Sequence, residues 1–348
     1  MSAKARIESL GAFLPATILS MQERVERMAN PPQFDPIAIT GIQTTRVFSP
    51  SEDCLDVASA AALDCLSRSK YRAQDLDIII SCSITRFVEG EERKFLWDPP
   101  LSTLIKDRIG APQAINFDIS NACAGMFSGV QILERMIRAG TVKNGLVVSG
   151  EYASAITDVA LKEITDAYDP QFGSITTGDA GAAVILDAST SAEDCINYFE
   201  LMTISEYSGL CIGKPSDKNP GFAMYTNNAE MHKKERIRLY PQYHLDYYEK
   251  HGSSLAEDQF DYAIYHQVGA KFMVNCSRVA SEMFDSPMPE HLSVVEYMGN
   301  TASTSHFIVL YQALKEKKLK KNSKILIVPA ASGMITGYMS LNISALEV

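Results

Sequence analysis

The chain has 348 residues, 46% of them hydrophobic and 21% charged, with a formal net charge of −10. That is an ordinary globular composition, and the length suits two domains or one large one. The acidic balance argues against a nucleic-acid binder, and no apolar run reaches the roughly 20 residues of a membrane span. Seven cysteines, with no C-x-x-C pair, fit reduced thiols in a cytoplasm better than a disulfide framework or a metal site. The opening M-S-A-K-A-R-I-E lacks the apolar segment of a secretory signal, so the expectation is a soluble cytoplasmic protein.

Arg6 to Leu14 has β character and is closed by Pro15. Residues 21–35 are polar and helical up to the Pro31-Pro32 break, and Ile37 to Val47 is a strand or turn segment around Gly41. Asp53 to Ser69 carries alanine-rich helical periodicity. Asp77 to Ser83 is a continuous apolar run, read as a buried strand. Arg86 to Trp97 is a charged surface loop, and long loops in compact domains are usually functional. A helix over Leu101 to Ile109, a strand over Ala114 to Ile119 and a helix opening at Cys123 follow. Gly145 to Ser149 and Ala182 to Leu186 are further buried strands.

The second half repeats this layout. Strands are expected at Tyr198 to Ile204, Tyr262 to Tyr265, Leu292 to Tyr297, Lys324 to Val328 and Tyr338 to Ile343. Helices are expected at Asn227 to Glu249 (interrupted), Phe272 to Met283 and Thr301 to Leu314. Alternating strands and helices imply an α/β chain with sheets covered by helices. Two halves of similar size imply a duplicated unit with no visible sequence identity between them. The polar stretch Asp187 to Asp194 divides them, giving an N-terminal half over 1–190 and a C-terminal half over 191–348.

The chemistry gathers where strands end. In N-A-C-A-G, Cys123 lies where a strand passes into a helix, and the free N–H groups of a helix N-terminus lower a thiol pKa. A buried structural cysteine fits the same position. His266 ends the strand in D-Y-A-I-Y-H-Q-V-G, and Asn300 follows another in V-V-E-Y-M-G-N-T-A-S-T-S. C-terminal strand ends are where α/β proteins collect ligands and catalytic groups. A Cys/His/Asn set has a definite use: the histidine takes a thiol proton or holds an enolate, and the asparagine donates a hydrogen bond without bringing charge. Gly333, in P-A-A-S-G-M, can present its N–H beside that of Cys123 as an oxyanion hole. Cys82, Cys211 and Cys276 have no base placed beside them and read as structural. His306, at helical spacing after the G-N-T motif, reads as core or pocket wall, and Asp179 as the organiser of a turn and a subunit contact.

N-A-C-A-G, G-D-A-G-A-A-V-I-L (178–186), Y-H-Q and G-N-T-A-S-T-S, in that order, resemble the signature stretches of the β-ketoacyl-acyl-carrier-protein synthase III enzymes of the thiolase superfamily. The resemblance runs from about Arg6 to Ile343. It implies a thiolase-like five-layered αβαβα fold of two similar halves, normally a homodimer with no cofactor beyond its acyl thioester substrates. It implies Cys123 as the acylated nucleophile, with His266 and Asn300 stabilising the carbanion of a second, malonyl or β-ketoacyl thioester, and Gly333 near the oxyanion hole. Family members that take short acyl-coenzyme A commonly have R-T-G-I preceded by a tryptophan. Here the segment is I-T-G-I, with Ile39 in the arginine's place and the sole tryptophan at 97. H-Q-V-G likewise replaces the common H-Q-A-N, putting Gly269 beside the pocket. Residues 86–98 resemble an insertion ahead of the segment that reaches the partner subunit.

These departures point to a specialised fatty-acid or polyketide-type condensing enzyme. The basic residues Lys233, Lys234, Arg236, Arg238 and Lys271 lie where this family docks an acidic carrier protein, and local basic charge steers an acidic partner even on an acidic chain. A solvated helix face fits the same charges. Acyl carrier protein is therefore favoured over coenzyme A as donor. Acyl transfer to an oxygen or nitrogen nucleophile is the alternative chemistry. A supporting subunit in a heterodimer is the alternative class, disfavoured by the complete Cys/His/Asn set.

Overall fold

The computed structural model describes residues 4–30 and 32–348. Pro31, half of the expected Pro31-Pro32 break, lies outside them. Ten strands form the main paths of the two large sheets, with the short Ala330–Ala331 pairing beside the last: β1 (Ala5–Phe13), β2 (Ile78–Ser81), β3 (Ile115–Asp118), β4 (Asn144–Glu151), β5 (Ala180–Ala188), β6 (Cys195–Thr203), β7 (Tyr262–Tyr265), β8 (Glu290–Leu292), β9 (Ser323–Val328) and β10 (Ile335–Ile343). The first sheet runs β1-β5-β4-β2-β3 and the second β6-β10-β9-β7-β8. The directions match strand for strand: two antiparallel pairs, then two parallel ones. Even the register slips correspond, between Ile7 and Ser9 against β5 and between Ile196 and Tyr198 against β10. The chain is a duplication whose identity survives in topology rather than in residues.

Six helices cover and separate the sheets: α1 (Cys54–Arg68), α2 (Leu101–Ile109), α3 (Gly125–Arg138), α4 (Leu239–His251), α5 (Ala270–Phe284) and α6 (Ser305–Lys315). Period-2 alternation in the strands sets the layering. Ile78 and Ile80 face the central core with Phe127, Val130, Phe307 and Leu310 of α3 and α6, while Ile79 faces outward onto α1 and α2. In the second sheet Ile325 and Ile327 face inward, and Leu326 packs outward with Tyr248 and Phe284 of α4 and α5. The result is a five-layered αβαβα sandwich with α3 and α6 in the middle. Residues 189–194 carry the chain from one sheet to the other.

Most predicted elements stand within two residues of their expected ends, and the exceptions have local causes. The strand expected over Leu292 to Tyr297 stops at Leu292 and gives way to a helical turn, Val295–Met298. There the Gln267 carboxamide oxygen accepts from Val294 N–H at 3.0 Å and the Ser293 hydroxyl from Val295 N–H at 3.3 Å, removing donors a ladder would need. The helical stretch expected to Pro31 ends at Glu26, and Pro36–Thr40 forms a short helix where a strand or turn was expected. Residues 86–97 hold a small hairpin, Phe87–Val88 with Lys94–Phe95, whose phenylalanines pack edge-on at 5.6 Å. A helix at Ser154–Glu163 and a ribbon of Cys211–Pro215 with Phe222–Thr226 were not anticipated.

Asp179 organises a turn, as its motif implied. Its buried carboxylate accepts from Phe48 N–H at 2.8 Å, and from Ser154 N–H and hydroxyl at 2.7 Å each. Burial pushes its pKa up to about 6 despite those donors. Asp179→Ala strands all three donors, each worth roughly 1 kcal/mol. Urea unfolding is expected to show a loss of about 2–4 kcal/mol with an unchanged m-value.

Candidate active site

Cys123 occupies a one-turn 3-10 helix, Ala122–Ala124, that feeds directly into α3. Ala122 adopts a left-handed φ of 47°, a conformation that L-residues hold only when their surroundings impose it. Asn121 donates to the Ser128 hydroxyl at 2.7 Å, and Ser128 donates to Ala124 C=O at 2.9 Å, clamping the turn onto the helix. The C-terminal half repeats the device: Ala302, at φ 53°, opens the 3-10 turn Ala302–Thr304 ahead of α6. The two turns pack against each other, and the short strand Ala330–Ala331 closes on the cysteine turn.

Asn300 sits just before the second turn, held by its backbone. Its N–H donates to Thr176 C=O at 2.9 Å, and its C=O accepts from Gly178 N–H at 3.0 Å. This pairing joins the G-D-A-G and G-N-T motifs across the two halves. It requires glycines: a Cβ on Gly178 would lie 2.2 Å from Met298 C=O, and one on Gly299, itself at φ 65°, would lie 2.4 Å from Thr176 C=O. The Asn300 side-chain oxygen accepts from Ala302 N–H at 3.0 Å, leaving its amide Nδ2 as the donor.

His266 ends β7, buried, with its Nδ1 unpartnered and its ring stacked 5.6 Å from that of His306. The next residue, Gln267, anchors the chain after β7: it donates to Tyr265 C=O at 2.8 Å and accepts from Ser293 and Val294 at 3.0 Å each. That is a physical use for the third residue of Y-H-Q. Burial, and then His306, lower the His266 pKa to about 3, so the ring is neutral at physiological pH. His306 is neutral for the same reason, its pKa lowered to about 4.

The thiol departs from expectation. The helix N-terminus was expected to lower its pKa, but burial pushes it well up, with Cys211 and Glu151 adding to the rise. Desolvation outweighs the dipole because the turn is enclosed by Ala331, Ile335 and Leu201.

Three further residues belong to this region. Cys211, read from the sequence as merely structural, accepts from the Ser332 hydroxyl at 3.0 Å and from Thr226 at 3.3 Å, and is near enough to raise the Cys123 thiol. Glu151 is fully buried and gathers donors from both halves: Ile84 N–H at 2.9 Å, the Thr85 hydroxyl at 2.7 Å, Ser149 at 3.1 Å and the Ser303 hydroxyl. Neither had a sequence signal, since their partners are remote in the chain. His306 is fully buried, the core option of its two readings. Gly333, at φ 86°, turns the chain between Ala331 and Ile335 with nothing near its missing Cβ.

The basic patch is partly neutralised. Lys233 pairs with Glu230, Lys234 with Glu282 at 3.1 Å, and Arg236 lies 3.9 Å from Glu230 with its guanidinium over Tyr207. Lys271 donates to Ala38 C=O, and Arg238 is exposed. Ile39 is exposed on the helix Pro36–Thr40. Among the described residues no group of three or more His, Cys, Asp or Glu could hold a metal, and no helix is long and apolar enough to cross a membrane.

This geometry agrees with comparison to known proteins. Residues 117–203 match the 3-oxoacyl-[acyl-carrier-protein] synthase III family and residues 251–343 its C-terminal counterpart, together about half the chain. The chain belongs to this family of condensing enzymes. Its relatives include the β-ketoacyl-[acyl-carrier-protein] synthase III of Listeria welshimeri, 26% identical over 335 residues (96% of this chain and 97% of that one). The Oceanobacillus iheyensis protein of the same name is 28% identical over 332 residues, covering 95% and 96%. An OleA variant from Xanthomonas campestris superposes with a TM-score of 0.82 at 19% identity, covering 98% and 97%. The Aquifex aeolicus 3-oxoacyl-[acyl-carrier-protein] synthase III gives 0.78 at 22%, covering 97% and 100%. The fold is thus the thiolase-like one.

Below its pKa the thiolate fraction grows tenfold per pH unit. Alkylation of Cys123 by iodoacetamide, followed by intact mass, is therefore expected to climb steadily between about pH 6 and pH 9 with no plateau. A plateau near neutrality would mean that the helix terminus, not burial, governs the thiol.

Proposed function

We propose that the enzyme loads an acyl group onto Cys123 and condenses it, Claisen-fashion and with decarboxylation, with a malonyl-type thioester. In the first step Sγ attacks the donor thioester carbonyl while His266 takes the thiol proton. The tetrahedral oxyanion is held by the N–H groups of Cys123 and Gly333. Collapse expels the donor thiolate, which recovers the proton from His266. In the second step the C–CO2 bond breaks and its electron pair becomes the thioester enolate, whose oxygen accepts from Asn300 and from His266 in the neutral tautomer that carries its single proton on the site-facing nitrogen. The enolate carbon then attacks the acyl carbonyl on Cys123, and the cysteine thiolate leaves.

What supports this reading is a pair of uncharged groups, one ending β7 and one just ahead of the turn that packs on the cysteine turn. Asn300 has its oxygen engaged and its amide free to donate, and His266 is neutral and buried. Neutral donors suit an enolate, because a nearby cation would bind the malonyl carboxylate and oppose its loss. Family membership supports the acyltransferase class, and an OleA variant crystallised with lauric acid and lauroyl-CoA supports acyl thioesters as substrates.

For partners we propose a carrier-bound donor, since Ile39 offers no cation to a nucleotide. Arg238 with the surface pairs of Lys233, Lys234, Arg236 and Lys271 forms the docking face, because exposed ion pairs of this kind cost little to exchange. We also propose a homodimer formed through the edge strand β3, where Ile115 is 55% exposed and the backbone edge is open. The departures at Ile39, Gly269 and residues 86–98 support our reading of a specialised fatty-acid or polyketide-type enzyme of the cytoplasm.

Intact-mass analysis with a panel of acyl-carrier and acyl-coenzyme A donors tests this directly. A mass gain is expected from carrier-bound donors and is expected to vanish in Cys123→Ala. Asn300→Ala is expected to acylate normally and to lose condensation by roughly 10²–10³-fold. Acylation surviving in Cys123→Ala would overturn the assignment. Equal labelling from coenzyme A would overturn the donor preference alone.

A further inference from the structure

His266 lines an apolar cavity between the second sheet and the outer helices α4 and α5, on the far side of β7, β9 and β10 from the central core. Its other walls include Phe272, Met273, Cys276 and Phe284. The centres of water-sized groups have about 50 Å³ in it, room for roughly four such groups. A methylene is about as large as a water molecule, so a chain of about four carbons fits without repacking. Flexible sulfur-containing side chains make such walls adaptable rather than rigid.

One wall is not apolar. His244 of α4 is buried, with its ring stacked 4.1 Å from Tyr338 and 4.3 Å from Tyr248. Its Nε2 lies 3.1 Å from the Tyr198 hydroxyl. That hydroxyl donates to Asp258, as does Tyr248 at 2.6 Å, and Lys324 donates to the other Asp258 oxygen at 2.7 Å. Burial opposes the Asp258 charge, but these bonds hold its pKa below the usual range, so it is ionised and only accepts. Both tyrosine protons thus point at the carboxylate, and Tyr198 has only a lone pair to offer His244. His244 must donate through Nε2–H. Burial lowers its pKa to about 3, so it carries no second proton, and Nδ1 is a bare acceptor. A buried acceptor in an apolar wall is costly until something donates to it.

We propose that this cavity binds the aliphatic tail of an acyl thioester bearing a terminal hydroxyl, with His244 Nδ1 accepting from that hydroxyl. The proposal rests on the reading of His266 as part of the acyl-transfer site, because the chain enters beside that residue. With the carbonyl and α-carbon left outside the cavity and about four carbons within it, the ω-hydroxyhexanoyl group is the probe of matching length. An unsubstituted chain of the same length fills the space and leaves the acceptor unmatched.

Isothermal titration of the Cys123→Ala protein with hexanoyl and ω-hydroxyhexanoyl N-acetylcysteamine thioesters tests this without turnover. The hydroxylated thioester is expected to bind about tenfold more tightly, the effect of one hydrogen bond to a buried acceptor. Adding His244→Leu is expected to abolish the difference while hexanoyl binding persists. Adding Ala280→Phe, which fills the cavity from α5, is expected to weaken both. Thermal melts identify a variant that fails to fold, and the other then carries the test. Equal affinities before His244 is changed, or a preference surviving in His244→Leu, overturn the proposal. So does unaltered binding in Ala280→Phe. Intact-mass labelling of the unmodified protein by the panel of acyl donors is read separately: no labelling from any donor would sink the acyl-transfer reading, whereas the titration alone judges the cavity.

Discussion

A backbone contact between the halves is the constraint on which the rest of the site depends. The strand-like bridge between Thr177 and Asn300, closed by bonds at Thr176 and Gly178, fixes where Asn300 can be. It forms only because Gly178 and Gly299 present no side chain to the opposing carbonyls. The same contact sets the turn Ala302–Thr304 against the cysteine turn Ala122–Ala124. Glu151 reinforces it from below, tying Ser303 of one half to Ser149 and Thr85 of the other. The duplicated unit thus sets two equivalent strand-to-helix turns face to face, with Cys123 in the first and Asn300 just ahead of the second.

Burial, rather than any single charge, sets the electrostatics. It raises the thiol of Cys123 and lowers the imidazole of His266, so both are neutral together at physiological pH. Glu151 is near enough to the cysteine turn to push the thiol further up, whereas the Asp258 charge is satisfied by Lys324 and two tyrosines on the outer side of the second sheet.

Much of this was legible in the residues. Strand runs such as Ile78–Ser81 and Tyr262–Tyr265 are short, apolar and bounded, α1 opens on its own Asp53 capping box, and α2 stops at Gly110. The ordered motifs put Cys123, His266 and Asn300 at equivalent strand ends. What was not legible depended on partners distant in sequence. Cys211 gains its place from Ser332, 121 residues on, and Glu151 from Ser303, 152 residues on. Gln267 capturing Val294 turned an expected strand into a helical turn. The thiol pKa was misjudged because the dipole is local, whereas the enclosing residues Leu201, Ala331 and Ile335 come from the other half.

The central claim is that a nucleophile from one half and two neutral donors from the other perform decarboxylative carbon–carbon bond formation. A single-turnover experiment tests it most directly: pre-acylated enzyme is mixed with a malonyl thioester labelled in its free carboxylate. The account predicts that label leaves as carbon dioxide in step with loss of the acyl group from Cys123, and that the product is the β-ketoacyl thioester. Loss of the acyl group with the label retained in the malonyl thioester would contradict it and would mean transfer to an oxygen or nitrogen nucleophile.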